Sequence, residues 1–260
     1  LHRDASLLLR ALSVVPPLGD DGYEQALRSL FSHHHYAALP YRGTWFPLKY
    51  PWHPLQILSS LLDDLQMPQV HPSVTMHPSA VLEGAVLIEE GVRIFPHATV
   101  RGPCFIGKNT IIGNNTLLWG SNIGHSCVIG FGTEVKASIL GNHVWTHSTY
   151  IGDSVIGENV SFGAGSVVGN FRLDEGPISS LVGQGLVQTG LTKLGAIIGD
   201  NCRIGLHVSL NPGIKIGGGS FVSTATVVAK DAPDESFISM KNGKMIIRKN
   251  TAPPKKPYDR

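Results

Sequence analysis

The chain has 260 residues, 42% hydrophobic and 15% charged, with a formal net charge of +2; that is enough apolar material for one or two buried cores and excludes a disordered or fibrous chain. The apolar stretch from Leu7 to Val15 is broken by Arg10 and halted by Pro16 and Pro17, too short for a membrane span and without a signal-peptide cleavage pattern, so the chain reads as cytoplasmic. Basic residues concentrate only from Lys241 to Arg260, without an aromatic ladder for stacking bases, which argues against a nucleic-acid partner.

From the N-terminus, Asp4 is placed to cap a helix through about Leu12, Asp20 or Asp21 another through about Ser32, and His53-Pro54 opens a third to about Leu65. Residues 1–69 thus read as a helical N-terminal cap and linker. Within them, His33-His34-His35 are consecutive and so poorly disposed to converge on one ion; they read as a surface loop after a helix, and no metal site is predicted.

From Val70 the chain becomes periodic. Val70, Met76, Leu82, Ile88, Ile94, Val100, Ile106, Ile112 and Leu118 are aliphatic or Met at every sixth position, and a small or β-branched residue follows four places later through most of the run, as at Val86, Ala98, Cys104 and Thr116. The phase slips at Ile123, resumes through Ile129 and Val135, returns at Ile156, Phe162 and Val168, and runs again from Ile198 to Val228. A period of six fits neither an amphipathic helix nor a half-buried strand. It fits a triangular parallel β-helix, whose short strands turn a corner about every six residues while successive coils bond ~4.8 Å apart. Aliphatic residues point inward, small residues fill the corners, and the 30 glycines supply turns. The expected class is all-β, with a β-helix over 70–235 interrupted by an inserted loop at 172–193. In 236–260, a C-terminal cap and basic tail, Ser236 to Ile247 forms a short helix or strand over the open end, and Thr251 to Arg260 is extended. Three cysteines, Cys104, Cys127 and Cys202, with no C-x-x-C pair, read as small hydrophobes rather than as disulfide or zinc ligands.

Thr146 to Asn170 reads THSTYIGDSVIGENVSFGAGSVVGN, and Thr192 to Gly217 reads TKLGAIIGDNCRIGLHVSLNPGIKIG. These segments, and more weakly WFPLKYPWHPLQIL from Trp45 to Leu58, resemble the acetyltransferase half of the bifunctional N-acetylglucosamine-1-phosphate uridylyltransferase/glucosamine-1-phosphate acetyltransferase family. They are still more similar to archaeal and bacterial sugar-1-phosphate nucleotidylyltransferases with a C-terminal left-handed β-helix. The resemblance implies a left-handed coil, a homotrimer with active sites between subunits, and an acyl-CoA, most simply acetyl-CoA, as co-substrate for acylation of an amino-sugar phosphate or nucleotide-sugar. The residues before Trp45 hold neither the family's Gly-rich nucleotide loop nor room for its sheet, so only the transferase half is expected.

Acyl transfer needs a base, donors for an oxyanion and a groove for the pantetheine arm. The histidine of the family's H-x-x-Y-x-G-D element is the base, which on this chain is His147. His125, in IGHSCVIG (Ile123 to Gly130), is the alternative base: it resembles the H-D-C-x-I-G element of lipid A and amino-sugar acyltransferases, with Ser126 in place of the Asp. Spaced roughly one coil apart, the two are expected to border one groove. By the same matching Lys136 holds phosphate, Tyr150 and Asn170 bond the sugar, and Lys193 faces the substrate. The resemblance also implies that Ala164, Leu206 and Thr224 line the coenzyme groove and that Lys241 meets its phosphates. Two departures stand out: Leu118 aligns with a phosphate-binding arginine, for which Arg101 could substitute, and Ser161 with a sugar-binding asparagine. A γ-type carbonic anhydrase shares the fold, but only His125 matches its three histidines, and Gly120 stands where a second would be. The remaining alternatives are a non-catalytic sugar-nucleotide-binding or scaffold protein and a lipid A-type UDP-sugar acyltransferase.

Overall fold

The computed structural model describes residues 5–16, 21–37 and 39–252; the proposed caps Asp4 and Asp20 and the tail beyond Ala252 lie outside them. Contacts divide the chain into two units, Leu1–Trp45 and Phe46–Arg260. In the first, helices α1 (Ala5–Ser13) and α2 (Gly22–His33) pack through Ala11 against Ala26 and Leu30. Asp21 precedes α2 without a side-chain capping bond, and its Oδ1 accepts from Gln25 Nε2 at 2.8 Å.

The second unit is a left-handed parallel β-helix of about nine turns. Its two- and three-residue strands stack into three parallel sheets, here the first, second and third faces. Along the first face Ile88, Ile106, Ile123, Leu140, Ile156, Ile198 and Ile216 stand in register, all at most 2% exposed. Each such side chain contributes about 1.5–3 kcal/mol on burial. The small corner residues are equally buried: Val86, Ala98, Cys104, Thr110 and Thr116 are at most 1% exposed. Hydroxyls among them find partners, as Thr110 Oγ1 does on the Gly124 carbonyl at 2.8 Å, since an unpaired buried hydroxyl is costly. The three cysteines lie inside the coil, where burial pushes the Cys104 and Cys202 thiols up to about 11 and that of Cys127 to about 12; they are packing groups.

The coils shorten between Leu118 and Ile156 and return to 18 residues after the insertion, where Ile198 pairs with Ile216. The first-edge spacing falls from 18 residues (Gly91 over Ser73) to 17 (Asn142 over His125) and 16 (Glu158 over Asn142). Each lost residue comes from a corner that turns through a left-handed residue: Gly120, Ala137, Ser148 or Asp153, with φ between 45° and 58°. One inward residue on the shortened stretch is Thr146, whose Oγ1 meets Thr133 Oγ1 at 3.1 Å and accepts from the Gly130 amide at 3.2 Å.

The insertion after Asn170 is an ordered antiparallel hairpin, Ser179–Val182 with Gly185–Gln188, closed at its base by a bridge between Phe171 and Lys193. Helix α3 (His53–Asp63), with Pro54 in its first turn, belongs with the β-helix rather than with α1 and α2. Just before it Trp52, 1% exposed, packs on Ile178 and Leu194 of the insertion and stacks on Tyr50 with ring centroids 4.7 Å apart. Ser236–Lys241 adds to the second face, pairing Phe237 with Phe221, and returns as Lys244–Lys249. The helix-or-strand alternative is therefore resolved as strand. Its turn residues Asn242 and Gly243 both have positive φ (51° and 71°), the pairing that a tight hairpin favours. Among the described residues no helix is long and apolar enough to cross a membrane.

Candidate functional site

His147 stands at the edge between the second and third faces. Thr146 before it points into the core and Thr149 after it is buried, its hydroxyl donating to the His147 carbonyl at 3.0 Å. The imidazole is exposed, and among the described residues nothing hydrogen-bonds its ring. Directly above in the next coils lie Ala164, then Leu206, then Thr224, tied edge to edge by Gly165 N–H to the Ser148 carbonyl (3.1 Å), His207 N–H to the Ala164 carbonyl (3.0 Å) and Ala225 N–H to the Leu206 carbonyl (2.8 Å). The amides of Gly163 and Gly165 are spent in this ladder, whereas that of Ala164 between them has no protein partner among the described residues. Leu206 is 48% exposed and Thr224 is exposed. Lys241 is exposed at the end of the strand Ser236–Lys241, which pairs with the second face through Phe237 and Ile238. The sequence pattern did not single out His207: a Cβ on Gly165 would come within 2.4 Å of its ring, so that glycine clears a place for His207 beside Ala164.

The other candidates gather at the edge between the third and first faces. Strand register places Arg101, Trp119, Lys136 and Gly152 side by side in successive coils. Arg101 is bound to Glu83 at 2.6 Å. The Lys136 ammonium sits 4.8 Å from the centroid of the Trp119 ring, a cation–π contact. Beyond it Asn170 Nδ2 donates to Tyr150 Oη at 3.1 Å and to Asp153 Oδ2 at 2.5 Å. Burial, chiefly, raises the Tyr150 phenol above its ordinary range; the carboxylates of Glu134 and Asp153 add to this and the Asn170 bond opposes it. Lys193 is exposed next to this cluster, since the Leu194 amide bonds the Asn170 carbonyl at 3.0 Å.

Three sequence expectations change. Leu118 is 0% exposed and faces the interior, so it cannot occupy a ligand-binding position; the outward neighbour of Lys136 is Trp119, one residue on. His125 lies at the edge between the first and second faces, its Nδ1 3.7 Å from Glu89 Oε2, so within one chain it does not share a groove with His147: sequence separation of about one coil conceals a change of edge. Ser161 is on the second face, paired with Trp145 and Arg203, whereas Tyr150 is on the third.

A glycine holds the Tyr150 cluster open. A Cβ on Gly152 would lie 2.6 Å from both Asn170 Nδ2 and Tyr150 Oη, so Gly152→Ala must displace both side chains while the backbone, which has no positive φ there, is undisturbed. Misplacement by about 1 Å can cost about 10²-fold in rate, and a loss of that order in kcat/KM with an unchanged melting temperature is expected from steady-state kinetics and calorimetry.

The model of the hexapeptide repeat of succinyl-transferase matches residues 103–137 and 195–230. Hexapeptide repeats are thus present over these two segments of the chain. The chain is 31% identical over 237 residues to the bifunctional protein GlmU of Methanococcus vannielii, covering 89% of this chain and 56% of that one. It is 34% identical over 221 residues to a bifunctional sugar-1-phosphate nucleotidylyltransferase/acetyltransferase of Sulfurisphaera tokodaii, covering 83% and 54%. It thus spans about half the length of the curated relatives it matches. Similar solved structures include a putative acetyltransferase of Bacillus cereus (19% identity, 67% of this chain and 86% of that one, TM-score 0.37). Another is the UDP-N-acetylglucosamine acyltransferase of Francisella novicida (15% identity, 70% and 71%, TM-score 0.35).

Proposed function

We propose that this protein transfers an acyl group from acyl-CoA, most simply acetyl-CoA, to the amine of an amino-sugar phosphate or nucleotide-sugar, with His147 as the general base. The observation that carries the reading is the column on one edge: an exposed imidazole, then the unspent Ala164 amide, then Leu206 and Thr224. His147 takes the proton from the acceptor nitrogen as its lone pair attacks the thioester carbonyl. The Ala164 N–H donates to the resulting oxyanion. Collapse breaks the C–S bond, and the imidazolium returns its proton to the departing thiolate. The pantetheine arm runs along Leu206 and Thr224 toward Lys241, whose ammonium meets the coenzyme phosphates. Tyr150 and Asn170 hold the sugar, and Lys136 and Lys193 its phosphate. Ser161, on the neighbouring face, serves this acceptor across a subunit groove, and the assembly is a homotrimer.

The relatives' names support both halves of this reading: one is named for sugar-1-phosphate nucleotidyl transfer and acetyl transfer together. Thiol release from acetyl-CoA, measured with glucosamine-1-phosphate and with UDP-amino sugars, is expected for at least one acceptor. Release with none of them would replace catalysis by sugar-nucleotide binding or a scaffold role.

A further inference from the structure

The H-x-x-Y-x-G-D element contains an acidic residue that the proposed chemistry does not use. Asp153 turns the edge between the third and first faces with φ 49°. Its backbone is fully engaged, the N–H donating to the Lys136 carbonyl at 2.9 Å and the carbonyl accepting from Gly195 N–H at 2.7 Å. Its side chain is free to do something else, and it reaches across one coil to accept from Asn170 Nδ2 at 2.5 Å. An ionised carboxylate can only accept. A flipped Asn170 amide would set a carbonyl oxygen against it at the same distance, so the carboxylate fixes which end of the carboxamide faces inward.

The consequence passes to Tyr150. Asn170 Nδ2 spends its second hydrogen on Tyr150 Oη at 3.1 Å, which makes the phenol an acceptor toward the protein and leaves its own hydrogen to point elsewhere. Asn170 Oδ1 faces away from Asp153 and has no protein partner among the described residues. We infer that Asp153 is a positioning residue that sets Tyr150 as a donor and Asn170 as an acceptor toward the ligand, so that the pair together reads a sugar hydroxyl. A hydroxyl can accept from the phenol and donate to the carboxamide at once; a phosphate oxygen satisfies only the phenol. This inference rests on the proposed function for its ligand, and on the bonds among the three side chains for its mechanism.

The test separates this role from that of a mere corner residue. Glycine adopts a positive φ without strain, so Asp153→Gly keeps the turn and removes the acceptor, whereas Asp153→Asn keeps both. Two readouts are made on the full chain. The first is solvent exchange of the Asn170 side-chain amide protons by NMR, assigned by their loss in Asn170→Ala. Exchange is expected to quicken at least about tenfold in Asp153→Gly, a factor equivalent to about 1.4 kcal/mol of lost protection, and to stay near wild type in Asp153→Asn. The second is steady-state kinetics: the acceptor KM rises about tenfold in Asp153→Gly with kcat nearly unchanged, and Asp153→Gly/Asn170→Ala is no worse than Asn170→Ala, as expected for residues acting as one unit. Unchanged exchange in Asp153→Gly, or an Asp153→Asn protein indistinguishable from it, overturns the inference. Should the wild-type protein release thiol with no acceptor, the proposed function falls, and the exchange measurement decides this inference by itself.

Discussion

His147→Ala is expected to lower kcat about 10³-fold, within the 10²–10⁴-fold range typical of a lost general base, while KM for acetyl-CoA and the melting temperature stay at wild-type values. The fold is indifferent to this ring: it is exposed, makes no side-chain hydrogen bond among the described residues, and follows a threonine that is itself anchored in the core. Beside the Ala164 amide, by contrast, the described residues place no further imidazole except that of His207, which packs over Gly165. His125→Ala should be nearly silent, because the coils above that ring present Asn142, Glu158 and Asp200, bonded one to the next up the edge, where the column above His147 presents Ala164, Leu206 and Thr224. Thiol release by both variants, with a kcat/KM pH profile, checks the assignment. An acidic limb present in wild type and absent in a slow His147→Ala protein identifies the base, whereas a His147→Ala protein at wild-type rate would falsify it. Should His207→Ala, made alongside, reproduce the loss, the base is two coils higher on the same edge.

Much of this architecture is legible in the sequence wherever each face has six residues. From Val70 to Leu118 the aliphatic position never drifts, because the corners there are of one length, and those residues take up the three faces in turn. The pattern fades between Val135 and Ile156 for two reasons: the corners lose a residue at Ala137, Ser148 and Asp153, and the inward place at Thr146 is filled by a hydroxyl that finds partners inside the coil. There a six-residue ruler loses phase. The partnership of Asp153 with Asn170 was not legible at all, since 17 residues separate them and only coil stacking brings them together. The insertion reads as loop because its hairpin is short, and what steadies it, Trp52 on Ile178 and Leu194, comes from a segment more than a hundred residues away. The His125 and His147 edges show the general limit: a repeat reveals which residues face outward, but assigning an edge requires counting every shortened corner.

That count makes adjacent positions behave oppositely toward one substitution. Leu118→Arg is expected to abolish folding, and Trp119→Arg to be tolerated. Leu118 is wholly buried and stacked between Val100 and Val135, both also 0% exposed. A guanidinium there has no carboxylate within the coil, and the effective cost of burying an ion is several kcal/mol, a large share of the about 5–15 kcal/mol by which a domain is stable. Because each coil contacts only its neighbours, the damage cuts the stack in two rather than spreading thinly. At Trp119 the side chain is outward and 38% exposed; an arginine stem covers the same strand while its head remains in water. The loss is then confined to the Lys136 contact and the indole's own packing, of order 1 kcal/mol, which moves the midpoint by about 2–4 °C in a chain of this size. Soluble yield, far-ultraviolet circular dichroism and melting of the two variants side by side provide the measurement. A Leu118→Arg protein that melts cooperatively near wild type would mean that this residue faces outward, and with it the register that places Trp119, Lys136 and Gly152 on one edge would be lost.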